Sequence, residues 1–362
     1  MIPTLSGTDI PKLVTEVLEG ALRSRASDIH IEPTATGAEI RYRVDGVLGP
    51  VSAATAETGR AMVGRLMVMA QLLTYRLDVP QEGRLHFIPG QGQPLDLRLA
   101  VMPTTHGLRA AVRLPAELIQ PGTLDELGLP SRVLSGVKSF AAGDSGMLVF
   151  TGPAGSGKTT TIYALLRHIV AQNAGLSVIA LEDPVERDIP GVTQIEVKPF
   201  GELTYERALR SILRQDPQVL TLGEIRDGAT AALAVQAALS GHRLVCTFHA
   251  SDPAGAVARL LEMGIEPYQV TSALYGVVAQ RLLRRKTPGG GYAGRVPVAE
   301  FVASDDPLRA AVLRRGDAAS IRIAYEQTPG YRSMRQVAMN LVEAGITDAA
   351  EVGRVLGVTS SC

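Results

Sequence analysis

The stretch Gly152-Pro-Ala-Gly-Ser-Gly-Lys-Thr-Thr160 constrains this chain more than any other. It fits G-x-x-x-x-G-K-[ST], a glycine-rich loop that cradles phosphates. Its flanks agree. Met147-Leu-Val-Phe150 before it is a short apolar run that reads as a buried strand. Lys158 to Gln172 after it carries Ile162, Leu165, Leu166 and Ile169 at helical spacing. Gly152, Gly155 and Gly157 let the backbone wrap closely and aim its N–H groups at phosphate oxygens. The helix N-terminus behind the loop adds partial positive charge. Lys158 can reach the β- and γ-phosphates, and the Thr159 hydroxyl can ligate Mg²⁺. The expected nucleotide-binding set is Gly152, Pro153, Ala154, Gly155, Ser156, Gly157, Lys158, Thr159 and Thr160.

Composition bounds the rest. A length of 362 residues suggests two or three domains. Basic and acidic side chains balance at 36 each, so no global charge argues for nucleic acid. Two cysteines, Cys246 and Cys362, are too few for a disulfide framework or a four-cysteine zinc site, which fits a reducing, cytosolic setting. Met1-Ile-Pro-Thr-Leu lacks the charged start and apolar core of a signal peptide. No run of about 18 apolar residues exists, so any membrane role is expected to be peripheral.

Residues 9–25 read as an amphipathic helix, with Ile10, Leu13, Val14, Val17, Leu18, Ala21 and Leu22 on one face and Thr8 or Asp9 as cap. Short alternating runs follow. Ile29 and Ile31, then Ile40, Tyr42 and Val44, alternate with polar residues up to an Asp45-Gly46 turn. A helical segment is expected at about 58–77. Leu85 and Phe87, then Leu95 to Val101, then Leu108 to Leu114 alternate again. These runs predict an α+β domain with a half-exposed antiparallel sheet. Its polar face carries Arg84, Arg98 and Arg113, which taken alone reads as a solvated face with cross-strand charge pairs. Residues 115–145, with Pro115, Pro121-Gly122, Pro130 and Gly143, read as a linker holding one short helix near 131–140.

Beyond the loop, Ser177-Val-Ile-Ala-Leu181 is a second buried strand ending in Glu182-Asp-Pro-Val-Glu186, where carboxylates would lie near the crevice of an α/β sheet. Val219-Leu-Thr-Leu222 is a third, leading into Gly223-Glu-Ile-Arg-Asp227. An acid in that place is where a water-orienting carboxylate is expected, and Glu224 is the candidate. His242 and His249 bracket a fourth strand, with His249 placed to read a γ-phosphate. Helices are expected to dominate from there on, at 253–263, 267–284, 305–315 and 332–344, with Pro288-Gly-Gly-Gly291 a loop between two of them. Nothing in 305–362 suggests chemistry.

In this order Ala26-Ser-Asp-Ile-His-Ile-Glu-Pro33 with Arg41-Tyr-Arg-Val-Asp-Gly46, the phosphate loop, Glu182 to Glu186, Leu213 to Pro217 with Gly223 to Asp227, and Gly241-His242 through His249 resemble the secretion ATPases of type II secretion and type IV pilus assembly. Gln280-Arg-Leu282 and Gly294-Arg295 through Glu300 extend the likeness, which covers about residues 5 to 345. The resemblance implies an α/β fold: a RecA-like P-loop core at 146–302, an N-terminal α+β (PAS-like) domain at 1–114 and a helical region at 303–362. It implies that Lys158 and Thr159 are the Walker A lysine and magnesium-ligating threonine. Glu182 and Glu186 fall in its Asp box, Glu224 is its Walker B glutamate with Gly223 in place of the usual aspartate, and His242 and His249 form its His box. Arg84, Arg98 and Arg113 match arginines that face nucleotide across a domain or subunit boundary, which reverses the solvated-face reading.

Three departures stand out. The assembly ATPases usually carry an extra N-terminal domain, and this chain is expected to start after it. Many carry a four-cysteine zinc loop where this chain has Lys286-Thr-Pro-Gly-Gly-Gly291, so no zinc is expected. Ala154 replaces a common threonine at a position of backbone contact.

The resemblance therefore implies an ATP- and Mg²⁺-dependent motor that assembles pilins or pseudopilins. It would be a ring, hexameric by resemblance, at the cytoplasmic face of the inner membrane with a platform protein as partner. Hydrolysis would swing the two domains about the 115–122 linker. A pilus-retraction motor is the alternative, because retraction motors also lack the extra domain. A nucleic-acid-translocating ring is opposed by the balanced charge and by the absence of tryptophan and of an aromatic-basic stripe. A scaffold without turnover is opposed by intact Lys158, Thr159 and Glu224.

Overall fold

The computed structural model describes residues 3–5, 9–90, 92–115, 122–198 and 201–357. Thr8, Cys362 and residues 116–121 of the expected linker lie outside them. The chain divides into two compact units, Met1–Gln120 and Pro121–Cys362.

In the first unit, Ile10–Arg23 (α1) forms where the apolar stripe predicts a helix. Asp9 caps it by accepting the Lys12 N–H at 3.0 Å, and Leu13, Val14, Val17, Leu18 and Ala21 are buried. Ala56–Met69 (α2) is capped by Thr55 and buries Met62, Val63, Leu66 and Met67 beside them. Both helices share a core with a sheet of Thr4–Leu5 (β1), Asp28–Pro33 (β2), Ala38–Val44 (β3), Val47–Ala54 (β4), Gln81–Phe87 (β5), Leu95–Thr104 (β6) and Gly107–Arg113 (β7). The sheet order is β1-β4-β3-β2-β7-β6-β5, antiparallel throughout except for the short β1–β4 pair. Asp45 and Gly46 both take positive φ, 49° and 84°, as a two-residue hairpin turn requires.

The helix expected over 58–77 stops at Met69. The apolar residues Leu72, Leu73 and Leu77 prolong the periodicity, but Gln71 turns left-handed at φ 56°. The Gln81 carboxamide then holds the segment, bonding Leu73 N, Leu73 O and Arg76 O at 2.8, 3.0 and 2.6 Å. Strand β4 carries no alternation legible in the sequence, because Gly49 and Pro50 interrupt its pattern; they sit beside a register shift at Ile40/Arg41.

The second unit begins with a 3₁₀ turn, Leu124–Leu127, and Ser131–Ala142 (α3). Leu124, Val133, Val137 and Phe140 pack into the same core as the phosphate-loop helix, so this half of the expected linker is part of the unit. The sheet comprises Gly146–Thr151 (β8), Val178–Glu182 (β9), Thr193–Glu196 (β10), Val219–Leu222 (β11), Arg243–Phe248 (β12), Leu274–Lys286 (β13) and Tyr292–Ala303 (β14), in the order β10-β9-β11-β12-β8-β13-β14. Only the β13–β14 pair is antiparallel. Strands buried on both faces read as continuous apolar runs. Lys158–Gln172 (α4), Tyr205–Ile212 (α5), Gly228–Leu239 (α6), Pro253–Glu262 (α7) and Pro267–Ala273 (α8) cover the sheet.

The structure corrects one expectation outright. The helix expected at 267–284 ends at Ala273, and a thirteen-residue strand follows. Leu274, Val277, Val278, Ala279 and Leu283 are buried between β8 and β14, so the run lacks the alternation that marks a one-sided strand. Pro288–Gly291 is accordingly a hairpin turn between strands, not a loop between helices. Asp306–Leu313 (α9), Ala318–Glu326 (α10), Met334–Glu343 (α11) and Ala349–Leu356 (α12) complete the unit. Leu308, Val312, Ile321, Tyr325, Ala338 and Val352 are all core residues.

Candidate nucleotide site

The C-terminal ends of the parallel strands share one edge, and the phosphate loop, Glu182, Glu224 and His249 gather there. After β8 the loop turns through Gly152, Gly155 and Gly157 at φ 147°, 74° and 89°. A Cβ at Gly152 would stand 2.5 Å from the Gln280 carbonyl, and one at Gly157 2.7 Å from Gln280 Nε2. Glycine is therefore required by both conformation and space. Gly157 caps α4, whose first N–H groups have no intrahelical partners and are the kind of donors an anion can use. Lys158 Nζ folds back onto the Gly152 and Pro153 carbonyls at 2.6 and 3.0 Å. Burial lowers its pKa, Arg281 adds to that, and Glu224 opposes it. Ser156 is buried with a hydroxyl that has no partner, while Thr159 and Thr160 are exposed on the first turn of α4. Pro153 and Ala154 are exposed on the loop's crest.

Two carboxylates stand on the same edge in different surroundings. Glu182, at the end of β9, is buried; the Tyr163 hydroxyl donates to Oε2 and Gln194 Nε2 donates to Oε1 at 2.7 Å. Burial pushes its pKa up, against those two hydrogen bonds. Glu186 lies beside this network, its N–H donating to the Tyr163 oxygen at 3.3 Å. Glu224, just past β11, is partly open. Its Oε1 lies 3.1 Å from His249 Nε2, and its Oε2 accepts from Arg226 Nε at 2.7 Å. The turn around it is fixed by neighbours: the Thr247 hydroxyl donates to the Gly223 carbonyl, and the Ile225 N–H to the Thr247 carbonyl at 3.1 Å. Gly223 has a local reason to be glycine, since a Cβ there would meet the Tyr205 hydroxyl at 2.6 Å and the Leu181 carbonyl at 3.2 Å.

His249 follows β12 and is half exposed. Thr151 bonds the Phe248 and Ala250 carbonyls at 3.2 and 2.8 Å, tying the His249 turn to the strand that carries the loop. His242 is elsewhere. It precedes β12, its ring meets the Ala237 carbonyl at 2.8 Å, and its own carbonyl accepts from Gly146 at the start of β8. Six strand residues, about 20 Å, separate it from the edge that holds the loop.

The three arginines lie in the first unit and form a ladder across its exposed face. Arg84 is opposite Arg98, Arg98 opposite Arg113, and Arg113 opposite Asp28. Arg113 donates to Asp28 Oδ1 at 3.1 Å, so its charge is met. The Arg84 and Arg98 side chains have no hydrogen-bond or ion-pair partner among the described residues. Sequence reasoning missed Tyr163, Gln194, Arg226 and the roles of Gln280 and Arg281. Gln280 is buried, and its Oε1 accepts from Thr161 at 3.0 Å behind the loop. The only sequence signal for these last two was the Gln280-Arg-Leu282 block, which the helical reading of that segment obscured.

This fold and edge define a P-loop nucleoside triphosphatase with a RecA-like core. The sequence profile of the type II/IV secretion system protein family matches residues 5–354, and the chain belongs to that family. It is 38% identical to the type II secretion system protein HxcR of Pseudomonas aeruginosa, over 98% of this chain and 79% of that protein. It is 36% identical to the type II secretion system ATPase E of Vibrio cholerae, over 96% and 75%, and 34% identical to the type IV pilus assembly ATPase PilB of Thermus thermophilus, over 94% and 42%. Among solved structures, the ATPase DotB of Legionella pneumophila superposes with a TM-score of 0.78 over 97% of this chain and 96% of that one, at 22% identity. The pilus retraction motor PilT superposes at 0.65 over 96% and 97%, at 24% identity. Those two likenesses concern the fold alone. No described helix is long and apolar enough to cross a membrane.

Proposed function

We propose that the chain is the ATP-hydrolysing motor of a type II secretion or type IV pilus assembly system, powering polymerisation of pilins or pseudopilins through an inner-membrane platform protein. The observation that carries the reading is the meeting of the phosphate loop with Glu224 and His249 on adjacent strand ends of one sheet. The residues fit a nucleotide with Mg²⁺: a buried hydroxyl without a partner at Ser156, a glycine cradle, and an exposed Thr159 hydroxyl at the head of α4. Mg²⁺, when bound, would neutralise charge between the β- and γ-phosphates. Lys158 would leave its two carbonyls for phosphate oxygens. Glu224, held by His249 and Arg226, would orient the attacking water; Glu182, with both oxygens already engaged, would brace the wall behind it.

Arg84 or Arg98 supplies the finger in this reading, because neither charge is met by an acid. Such a residue is commonly worth about a thousandfold or more in rate. A finger from a neighbouring subunit implies a ring, by resemblance a hexamer, and the resemblance also suggests the cytoplasmic face of the inner membrane as its place. In the test, purified protein should hydrolyse ATP only with Mg²⁺, and Lys158→Ala and Glu224→Gln should each lower turnover at least a hundredfold. Wild-type rates in both variants would sink the site assignment. Deleting the gene should abolish fibres or secretion; an excess of static fibres would instead assign retraction.

A further inference from the structure

Arg281 lies on β13, beside the loop-bearing strand β8. Its guanidinium is half buried and donates to two carbonyls: Nη1 to Gln280 at 2.9 Å and Nη2 to Ser251 at 2.8 Å. No carboxylate oxygen lies within 4.0 Å of it among the described residues. Glu300 and Asp252 act on it only from farther off, and burial pulls its pKa below the usual arginine range. Burying a charge is costly unless a counter-charge meets it. This cation therefore lacks half of its expected environment.

Its position shows what could supply that half. A Cβ on Gly152 would stand 2.9 Å from Arg281 Nη1 and 2.7 Å from the partnerless Ser156 hydroxyl. Lys158 rests on the carbonyl of the same glycine. Two cations and a free hydroxyl thus converge on one residue of the loop, and neither cation forms an ion pair among the described residues. From the other end of the guanidinium, Ser251 leads into Asp252. That residue caps α7 through Gly255 N–H at 2.8 Å and pairs with Arg322 on α10.

We propose that Arg281 is a second resident cation of the nucleotide site, one whose charge is balanced by the phosphates of the bound nucleotide and whose grip on Ser251 passes their presence to α7 and α10. This rests on the nucleotide reading above. Guanidinium suits the task, since it can hold two carbonyls in a fixed fork and still direct charge at an anion.

Calorimetric titration of the full-length protein with Mg-ADP, and separately with inorganic pyrophosphate, tests it. Arg281→Gln should weaken both by tenfold or more, because the lost contact is to phosphate and not to the base. Arg281→Lys, which keeps the charge and loses the fork, should fall between. Thermal unfolding without ligand discriminates a merely structural role. Removing an unmet buried charge should leave the ligand-free Tm of Arg281→Gln at or above wild type, while the rise in Tm on adding ADP shrinks. Binding within twofold of wild type in Arg281→Gln overturns the proposal, as does a ligand-free Tm several degrees lower in both variants. If wild-type protein binds no ADP, or Lys158→Ala binds it as well as wild type, the nucleotide reading itself has failed, and the wild-type and Lys158→Ala titrations report that separately.

Discussion

Arg281 and Arg284 stand three residues apart on one strand and live in opposite electrostatic worlds. Arg284 is closed off by protein. It donates from Nε and Nη2 to Glu351 Oε2 at 3.0 and 2.7 Å, its backbone N–H donates to Oε1 at 3.0 Å, and its guanidinium lies 4.0 Å over the Tyr292 ring. Arg354 completes the set at 2.7 Å, and the Glu351 side chain is 0% exposed. Arg281 has only carbonyls. A buried ion whose every neighbour is met by the fold is holding the fold; one left unmet at the edge of a phosphate loop is available to a ligand. Near Arg284 the charges fasten α12 to the β13–β14 hairpin, and Lys286 N–H to Ile346 O at 2.9 Å continues the seam. Around Arg281, among the described residues, no carboxylate plays that part.

Removing the acid at the centre of the closed region should have the largest effect on stability. Glu351→Ala leaves two arginines facing each other over a cavity, and breaking a buried pair from one side costs about 3 kcal/mol or more. The expected result is a clear drop in Tm with the Kd for Mg-ADP unchanged. A loss of nucleotide affinity as large as that of Arg281→Gln would erase the distinction between Arg284 and Arg281.

That distinction is invisible in the sequence, where Gln280-Arg-Leu-Leu-Arg-Arg-Lys286 reads as one basic run. What separates its members is which distant residues come near: Glu351 in one case, Gly152 and Ser251 in the other. The same reason hides Tyr163 and Gln194 behind Glu182, since each is brought to it from another element. By contrast the phosphate loop is legible because its chemistry is local, with glycines, lysine and threonine at fixed offsets on a strand and a helix. The sheet of the first unit is legible because one face meets the helices and the other solvent, so Leu97, Leu99 and Val101 alternate with exposed residues. Strand β13 has apolar neighbours on both sides and no alternation to read.

pH gives the next contrast, between two buried acids. Hydrogen bonds from Arg354 and Arg284 outweigh burial and hold Glu351 at about 2, below its ordinary 4.5. A depressed carboxylate stabilises the fold above its unfolded pKa, so its contribution is full above about 4.5 and is lost as pH falls towards about 2. Glu182 is raised, mainly by burial, so the fold binds its proton more tightly than the unfolded chain does. Its contribution declines as pH rises from 4.5 towards its raised value. Tm measured against pH should therefore drop steeply on the acid side, and Glu351→Gln should flatten that limb while leaving the slope above 4.5 in place. An unchanged acid limb in that variant would mean the Glu351 clamp does not form in solution.

The smallest expected effect lies inside the closed region, between the ring of Tyr292 and its hydroxyl. The Tyr292 ring stacks under Arg284, and its hydroxyl donates into the Asp348 carboxylate, whose oxygens lie 2.9 and 2.8 Å away; Asp348 also caps α12. Tyr292→Phe removes the hydroxyl and keeps the ring, and should cost about 1 kcal/mol, less than the roughly 1.5–3 kcal/mol typical of a bond to a charged group because solvent reaches this site. Tyr292→Leu also removes the face beneath the guanidinium and should cost a further ~0.5–1 kcal/mol. In a Glu351→Ala background that second increment should shrink, since a guanidinium released from its carboxylate is no longer held over the ring. Equal increments in both backgrounds would show that stacking and the ion pair act independently, and that Arg284 is fixed by the hairpin rather than by the acid it faces.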